Sequence, residues 1–211
     1  IQRRPGDPGI RIDMIRLMAE NGELDEAKRG VAVLVKMRPR DFYVQMLAGD
    51  IYSKDSPADA VPFYRSATEI DPNNNNARVQ LGASLVRSRQ YDDGIPLLEK
   101  AIEIEPDNVQ AHSNIATALF EEKQFPAAAQ NFLWIVQKKP SITIAFYFLA
   151  ISLDKIGDCY DALRSYQEFE NRANPQVNDK EIEDARIRVS LLNTLVKHGK
   201  CKPLDAGKKK K

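Results

Sequence analysis

Few residues in this chain have the type and spacing that chemistry requires. Among 211 residues there are two histidines, His112 and His198. Neither has a second histidine or a cysteine at ligand spacing, which disfavours a metal centre. Two cysteines, Cys159 and Cys201, are too few for a thiolate cluster or a disulfide framework. No glycine-rich phosphate loop, Gly-x-Ser-x-Gly turn or His-Glu-x-x-His helix occurs. Acidic pairs such as Asp92-Asp93 and Glu121-Glu122 fall at turns and on polar faces, where solvation and helix capping account for them. Trp134, two residues from Phe132, reads as core, and Asn73 to Asn76 read as helix caps. The chain therefore reads as a non-enzyme with no catalytic residue, no cofactor and no metal.

What the sequence does carry is a beat. Pro39, Pro72, Pro106 and Pro140 are 33, 34 and 34 residues apart, and twelve before each stands a small residue: Ala27, Ala60, Gly94, Ala128. A period of this length means stacked copies of one supersecondary unit. Before each small residue comes a turn signal, such as Asn21-Gly22 or Glu122-Lys123-Gln124, and a fifth copy follows at Ile156-Gly157-Asp158 with Ala162. On either side of each turn, apolar residues recur at helical spacing. Each unit is thus two antiparallel helices, A and B. Proline ends helix B because it lacks an N–H and disfavours helix in the residue before it. Pro62 and Pro96 lie early in helix B, where few upstream carbonyls can clash.

The pattern resembles the tetratricopeptide repeat. Leu81-Gly82, Leu85, Tyr91, Gly94, Leu98, Ala101 and Pro106 match it, as do Leu47-Ala48, Ile51, Ala60, Tyr64, Ala67 and Pro72. Ile115-Ala116, Leu119, Phe125, Ala128, Phe132 and Pro140 match again, and Leu149-Ala150, Leu153, Ala162, Tyr166 and Phe169 match without the proline. The first unit (Met14-Ile15, Met18, Ala27, Val31, Leu34, Pro39) is the weakest match. The resemblance implies an all-α, right-handed superhelical solenoid of five helix-turn-helix repeats, at 8–40, 41–74, 75–108, 109–142 and 143–176. A capping helix over 177–199 follows, with a lead-in at 1–7 and a basic tail at 200–211.

In that family helix A lines a concave groove that binds a peptide or protein segment. Counted from the Leu-Gly register, the groove residues are Phe42, Gln45, Tyr52, Asn76, Val79, Val86, Arg87, Ser113, Asn114, Thr117, Phe120, Ile144, Tyr147, Phe148 and Ile151. This is a surface of apolar anchors with amide and hydroxyl hydrogen-bonding groups. Family members that clamp acidic chaperone C-termini use Lys and Asn, then Lys and Arg. Here Ile12, Arg16, Gln45, Asn76 and Gln80 occupy the corresponding region, which disfavours that role.

The leading function is a non-enzymatic interaction scaffold with a protein or peptide partner. The alternative is the repeat portion of a larger enzyme or membrane-anchored assembly factor, since the chain begins at Ile1 and a signal, anchor or domain could precede it. A net charge of +1 argues against nucleic acid, despite Lys208 to Lys211. No apolar run approaches the roughly 20 residues of a membrane span.

In the last helix Ile182, Ala185, Val189, Leu192 and Val196 form one apolar stripe. A second row, Ile187, Leu191 and Leu195, lies about half a turn away and offers a face for a homodimer. Cys159 and Cys201 fall at the same end of the helical layer. The expectation is two free thiols, as in the reducing cytoplasm. A bridge between them would instead imply an extracytoplasmic, oxidising location.

Overall fold

The computed structural model describes residues 8–201. The expectations for the lead-in and for the Lys208 to Lys211 tail lie outside the described residues. Among the described residues there are eleven helices and no strand: α1 (Pro8–Glu20), α2 (Leu24–Met37), α3 (Phe42–Tyr52), α4 (Pro57–Ile70), α5 (Asn75–Arg87), α6 (Tyr91–Ile104), α7 (Val109–Glu121), α8 (Phe125–Lys138), α9 (Thr143–Lys155), α10 (Cys159–Arg172) and α11 (Asp179–Lys197). The protein is all-α, built of five antiparallel helix pairs and a closing helix. Helices α3, α4, α5 and α10 start where the sequence supplies a side-chain acceptor. The side chains of Asp41, Ser56, Asn74 and Asp158 take the exposed N–H groups of Val44, Asp59, Ala77 and Asp161, which no intrahelical partner can reach.

Four of the five turns within the pairs share one closure. The N–H groups of Glu23, Gln90, Gln124 and Asp158 donate back to the carbonyls of Met18, Leu85, Leu119 and Leu153. This six-residue closure needs a left-handed residue just before its donor. Gly22 and Gly157 supply it without strain, at φ 86° and 85°, whereas Arg89 and Lys123 adopt φ 61° and 60° with a side chain attached.

The chain divides into two compact units, Ile1–Ala111 and His112–Lys211. In the first, Ile15, Ala27, Val31, Leu34, Leu47 and Ile51 join α1, α2 and α3 in one core. Ala60, Tyr64, Ala67, Leu81 and Leu85 join α4 to α5 in a second. Gly82 and Gly94 mark a close helix approach: a Cβ on Gly94 would lie 3.0 Å from the Gly82 carbonyl oxygen.

In the second unit one cluster runs from α7 to α11, with Ala116, Phe132, Ile135, Leu149, Tyr166, Phe169 and Leu192 buried together. Helix α11 lays Ile182, Ala185 and Leu192 onto this core, and Val189 packs beside them. Ile187 and Leu191 point to solvent, but Leu195 packs against the core, which corrects its assignment to the outer row. Three residues of helix rotate by about 300°, so Leu195 returns to within about 60° of Leu192.

The expectation of free thiols is also overturned. Cys159 and Cys201 form a disulfide with Cα atoms 6.0 Å apart. It ties the chain beyond α11 to the first residue of α10. Among the described residues no helix is long and apolar enough to cross a membrane.

Candidate interaction surface on the A helices

The positions expected to face a partner do not share one environment. In the first unit most are closed. Gln45 is buried and donates from Nε2 to the Pro39 carbonyl at 2.7 Å. Val79 and Val86 are buried in the helix stack. Tyr52 is half-buried, its ring against Phe63 at 4.9 Å and beneath the Lys28 ammonium at 5.3 Å. Phe42 is half-buried edge-on to the exposed Tyr43. Asn76 and Arg87 remain at the surface. Asn76 accepts from Gln80, and Arg87 donates to the Ser53 carbonyl at 3.0 Å.

In the second unit the same positions are more open. Thr117 is exposed on α7, with its hydroxyl on the Ser113 carbonyl, and Ser113 and Asn114 are half-buried beside it. Phe120 meets Phe148 of α9 edge-on at 5.1 Å, and Phe148 stacks on Phe132 at 5.6 Å. Ile144 and Ile151 are half-buried on α9 and pack against the core cluster. The two aromatic rings are thus held from below by the core, and the hydroxyl and amide groups of α7 lie along one side.

Tyr147 is the exception. It is buried against Tyr166 and Phe169, and its hydroxyl donates to Asp184 of α11 at 3.3 Å. Burial, reinforced by the Asp184 carboxylate, pushes its pKa up to about 12. Gln45, Val79, Val86 and Tyr147 are therefore core residues and not ligand contacts. The reason is common to them: the neighbouring helix, or a turn carbonyl, covers the side chain.

The sequence reading missed the reach of α11. Besides Asp184 on Tyr147, Arg188 forms an ion pair with Asp154 of α9 at 2.5 Å. Both polar residues lie on the flank of the apolar stripe, where spacing alone does not say which helix they meet. It also missed a groove on the other side of this unit, of about 680 Å³, where α8 (Ala129, Leu133), α9 (Leu149, Leu153) and α10 (Arg164, Ser165) meet. No group of three or more potential metal ligands occurs among the described residues.

Comparison with known proteins agrees with this architecture. Residues 85–131 match a family model described as tetratricopeptide repeat. A search of curated proteins finds no match. Among solved structures, MamA from AMB-1 superposes with a TM-score of 0.68 at 21% identity, covering 77% of this chain and 96% of that one. MamA 41-end from Desulfovibrio magneticus RS-1 gives 0.68 at 17% identity, covering 77% and 94%. YrrB, described as a TPR protein with an unusual peptide-binding site, gives 0.64 at 20% identity, covering 77% and 84%. Residues 85–131 thus match the tetratricopeptide repeat, and the helical fold of the chain is similar to that of these structures.

Proposed function

We propose that the chain binds a peptide or protein segment along α7 and α9. Ser113, Asn114, Thr117, Phe120, Ile144, Phe148 and Ile151 supply the contacts. The observation that carries this is the change of environment between the units. The A-helix positions occupied by the buried Val79 and Val86 are occupied on α7 by the half-buried Ser113 and Phe120. Phe120 and Phe148 are braced against each other and against Phe132, so they lose little freedom when a ligand covers them. Apolar anchors beside hydroxyls and amides suit a segment that buries alternate side chains and satisfies its own backbone at the edges. YrrB's description as having an unusual peptide-binding site is consistent with this use of the fold. Phe42, Tyr52, Asn76 and Arg87 belong to the helix-A series of the first unit and are proposed as contacts of that unit by itself.

The test uses a random-peptide display library panned on the immobilised chain, then titration of one enriched peptide. Thr117→Arg, at an exposed position, is expected to weaken that peptide by at least about tenfold while the helical circular-dichroism signal and melting temperature hold. Unchanged affinity in this variant rejects the site. The exposed row on α11, Ile187 with Leu191, offers a second copy of the chain a separate face, for which the simplest arrangement is a two-fold homodimer.

A further inference from the structure

The 680 Å³ groove where α8, α9 and α10 meet is more than a by-product of stacking. The repeat supplies its own control, because each lining residue has a counterpart one and two repeats earlier. Leu133 of α8 is 46% exposed, where α6 and α4 carry Glu99 and Arg65. Phe146 of α9 stands in the place of His112 and Arg78, and Ile156 in that of Glu122 and Ser88. Ser165 of α10 stands in the place of Asn131 and Leu97. Three positions that are polar in both earlier repeats are thus apolar here, and one larger position is small. All four line the same groove. In the first unit Arg78 serves the stack itself, donating to the Pro72 carbonyl and the Asn75 side chain. Phe146 instead forms part of an apolar floor, with the Arg172 guanidinium 5.0 Å from its ring centre.

The period of the groove says what shape fits it. Its floor is Phe146, Leu149, Leu153 and Ile156, and its α10 rim is Asp161, Arg164, Glu168 and Arg172. Both rows step by three or four residues, which at about 1.5 Å per residue is close to one helical turn of about 5.4 Å. A helix laid alongside α10 repeats its contacts at that interval and stays in step. An extended segment presents the same face only about every 6.7 Å and falls more than half a step behind within three contacts.

The charge of the groove says what that helix carries. Along α10 the rim alternates acid, base, acid, base, while the α8 rim holds the neutral amides Gln130 and Gln137. Glu168 and Arg172 pair with each other at 3.0 Å, an exposed link that costs little to exchange. Asp161 and Arg164 are exposed. A single-headed apolar ligand, such as an acyl chain, has no use for two signs along one rim. A helix with Lys and Glu alternating by turn on its flank uses all four. The exposed row of α11 lacks that pattern: Arg186, Ser190, Asn193 and Lys197 along its flank include no acid.

We propose that this groove seats an amphipathic helix of another protein. Its apolar stripe, at i, i+3 or i+4, and i+7, lies on the α9 floor. Its flank sets Lys against Asp161 and Glu168, and Glu against Arg164 and Arg172. The inference is independent of the peptide surface proposed along α7 and α9.

Helix-stapled synthetic peptides of about five turns test it, titrated by fluorescence anisotropy against the full, oxidised chain. All carry the same leucine stripe. Two have alternating flanks, Lys-Glu-Lys-Glu and the reverse, and so cover both directions along α10; two controls have flanks of Lys alone or Glu alone. One alternating peptide is expected to bind at least about tenfold more tightly than either control. Leu133→Arg is expected to weaken it by at least about tenfold. Circular dichroism checks the fold of this variant, which is expected to hold because Arg65 occupies the same place on α4 and is exposed. Alternating peptides that bind no better than the controls overturn the proposal, as does unchanged affinity in Leu133→Arg. Loss of binding in Thr117→Arg, with Leu133→Arg unaffected, means that the peptide lies on α7 and α9. Two further results overturn it in favour of another occupant. Self-association of the wild type that Leu133→Arg abolishes in sedimentation assigns the groove to a second copy. A fluorescent fatty acid that binds the wild type, displaces the peptide and is lost in Leu133→Arg assigns it to an acyl chain.

Discussion

At the scale of single residues, the unit closed by α11 is governed by polar groups that look superficial in the sequence. Tyr147 has its ring in the aromatic core and its hydroxyl on Asp184. Its pKa rises to about 12, first because burial disfavours the phenolate and second because of the adjacent carboxylate. A group whose folded pKa lies above its unfolded value of about 10 stabilises the fold fully below pH 10, and that contribution is lost as pH climbs towards 12. Tyr147→Phe keeps the ring and removes the titration. Melting temperature measured from pH 8 to 12 is therefore expected to fall less steeply above pH 10 in this variant than in the wild type. An identical slope in both would mean that the phenolate is not penalised. The expectation that Tyr147 was a groove residue failed for a physical reason. Helical spacing says which face a side chain occupies, but not whether a later helix folds over that face.

At the scale of elements, almost everything local was legible. Proline terminators, small residues at helix crossings and turn signals all act within one or two turns of helix, so a single period reveals them. The turns also hold a strain that spacing alone does not show. Arg89 and Lys123 sit in the left-handed conformation that Gly22 and Gly157 occupy at the equivalent turns. A side chain in that region costs on the order of 1 kcal/mol or more. Both side chains are exposed, so removing them sacrifices no core contact. Lys123→Gly is expected to stabilise the protein by up to about 1 kcal/mol, because relief of strain outweighs the added freedom of glycine in the unfolded chain. Urea denaturation reads this as a higher midpoint at unchanged slope, and a lower midpoint would show that the turn is relaxed with lysine. Leu195 and the closed positions Val79 and Val86 were not legible, because their burial depends on how neighbouring helices cross.

At the scale of the whole molecule, stability in a stack of helix pairs is a sum of nearest-neighbour terms, so a covalent tie should act where it is made. The Cys159–Cys201 bond spans 42 residues of sequence and encloses α10 and α11. Chain-entropy reasoning for a loop of that length gives about 4 kcal/mol of stabilisation, all of it in the unit that holds α8 to α11. Cys201 itself is buried, although it lies beyond the end of α11, so the bond holds a segment that helix packing alone does not secure. The half of α11 near Ile182 and Ala185 keeps its core contacts when the bond is cut, while the segment after Leu192 loses its anchor. Hydrogen exchange on the reduced chain, or on Cys201→Ser, is therefore expected to rise from residue 193 to 201 and at the start of α10, and to stay unchanged from residue 8 to 111. Uniform loss of protection along the chain would show instead that the protein unfolds as one cooperative body. Two alkylatable thiols in the chain isolated from its native compartment would show that the bond does not form there. A bond found intact would place the chain where thiols are oxidised, and the covalent tie would then be a fixed part of the face that α11 presents.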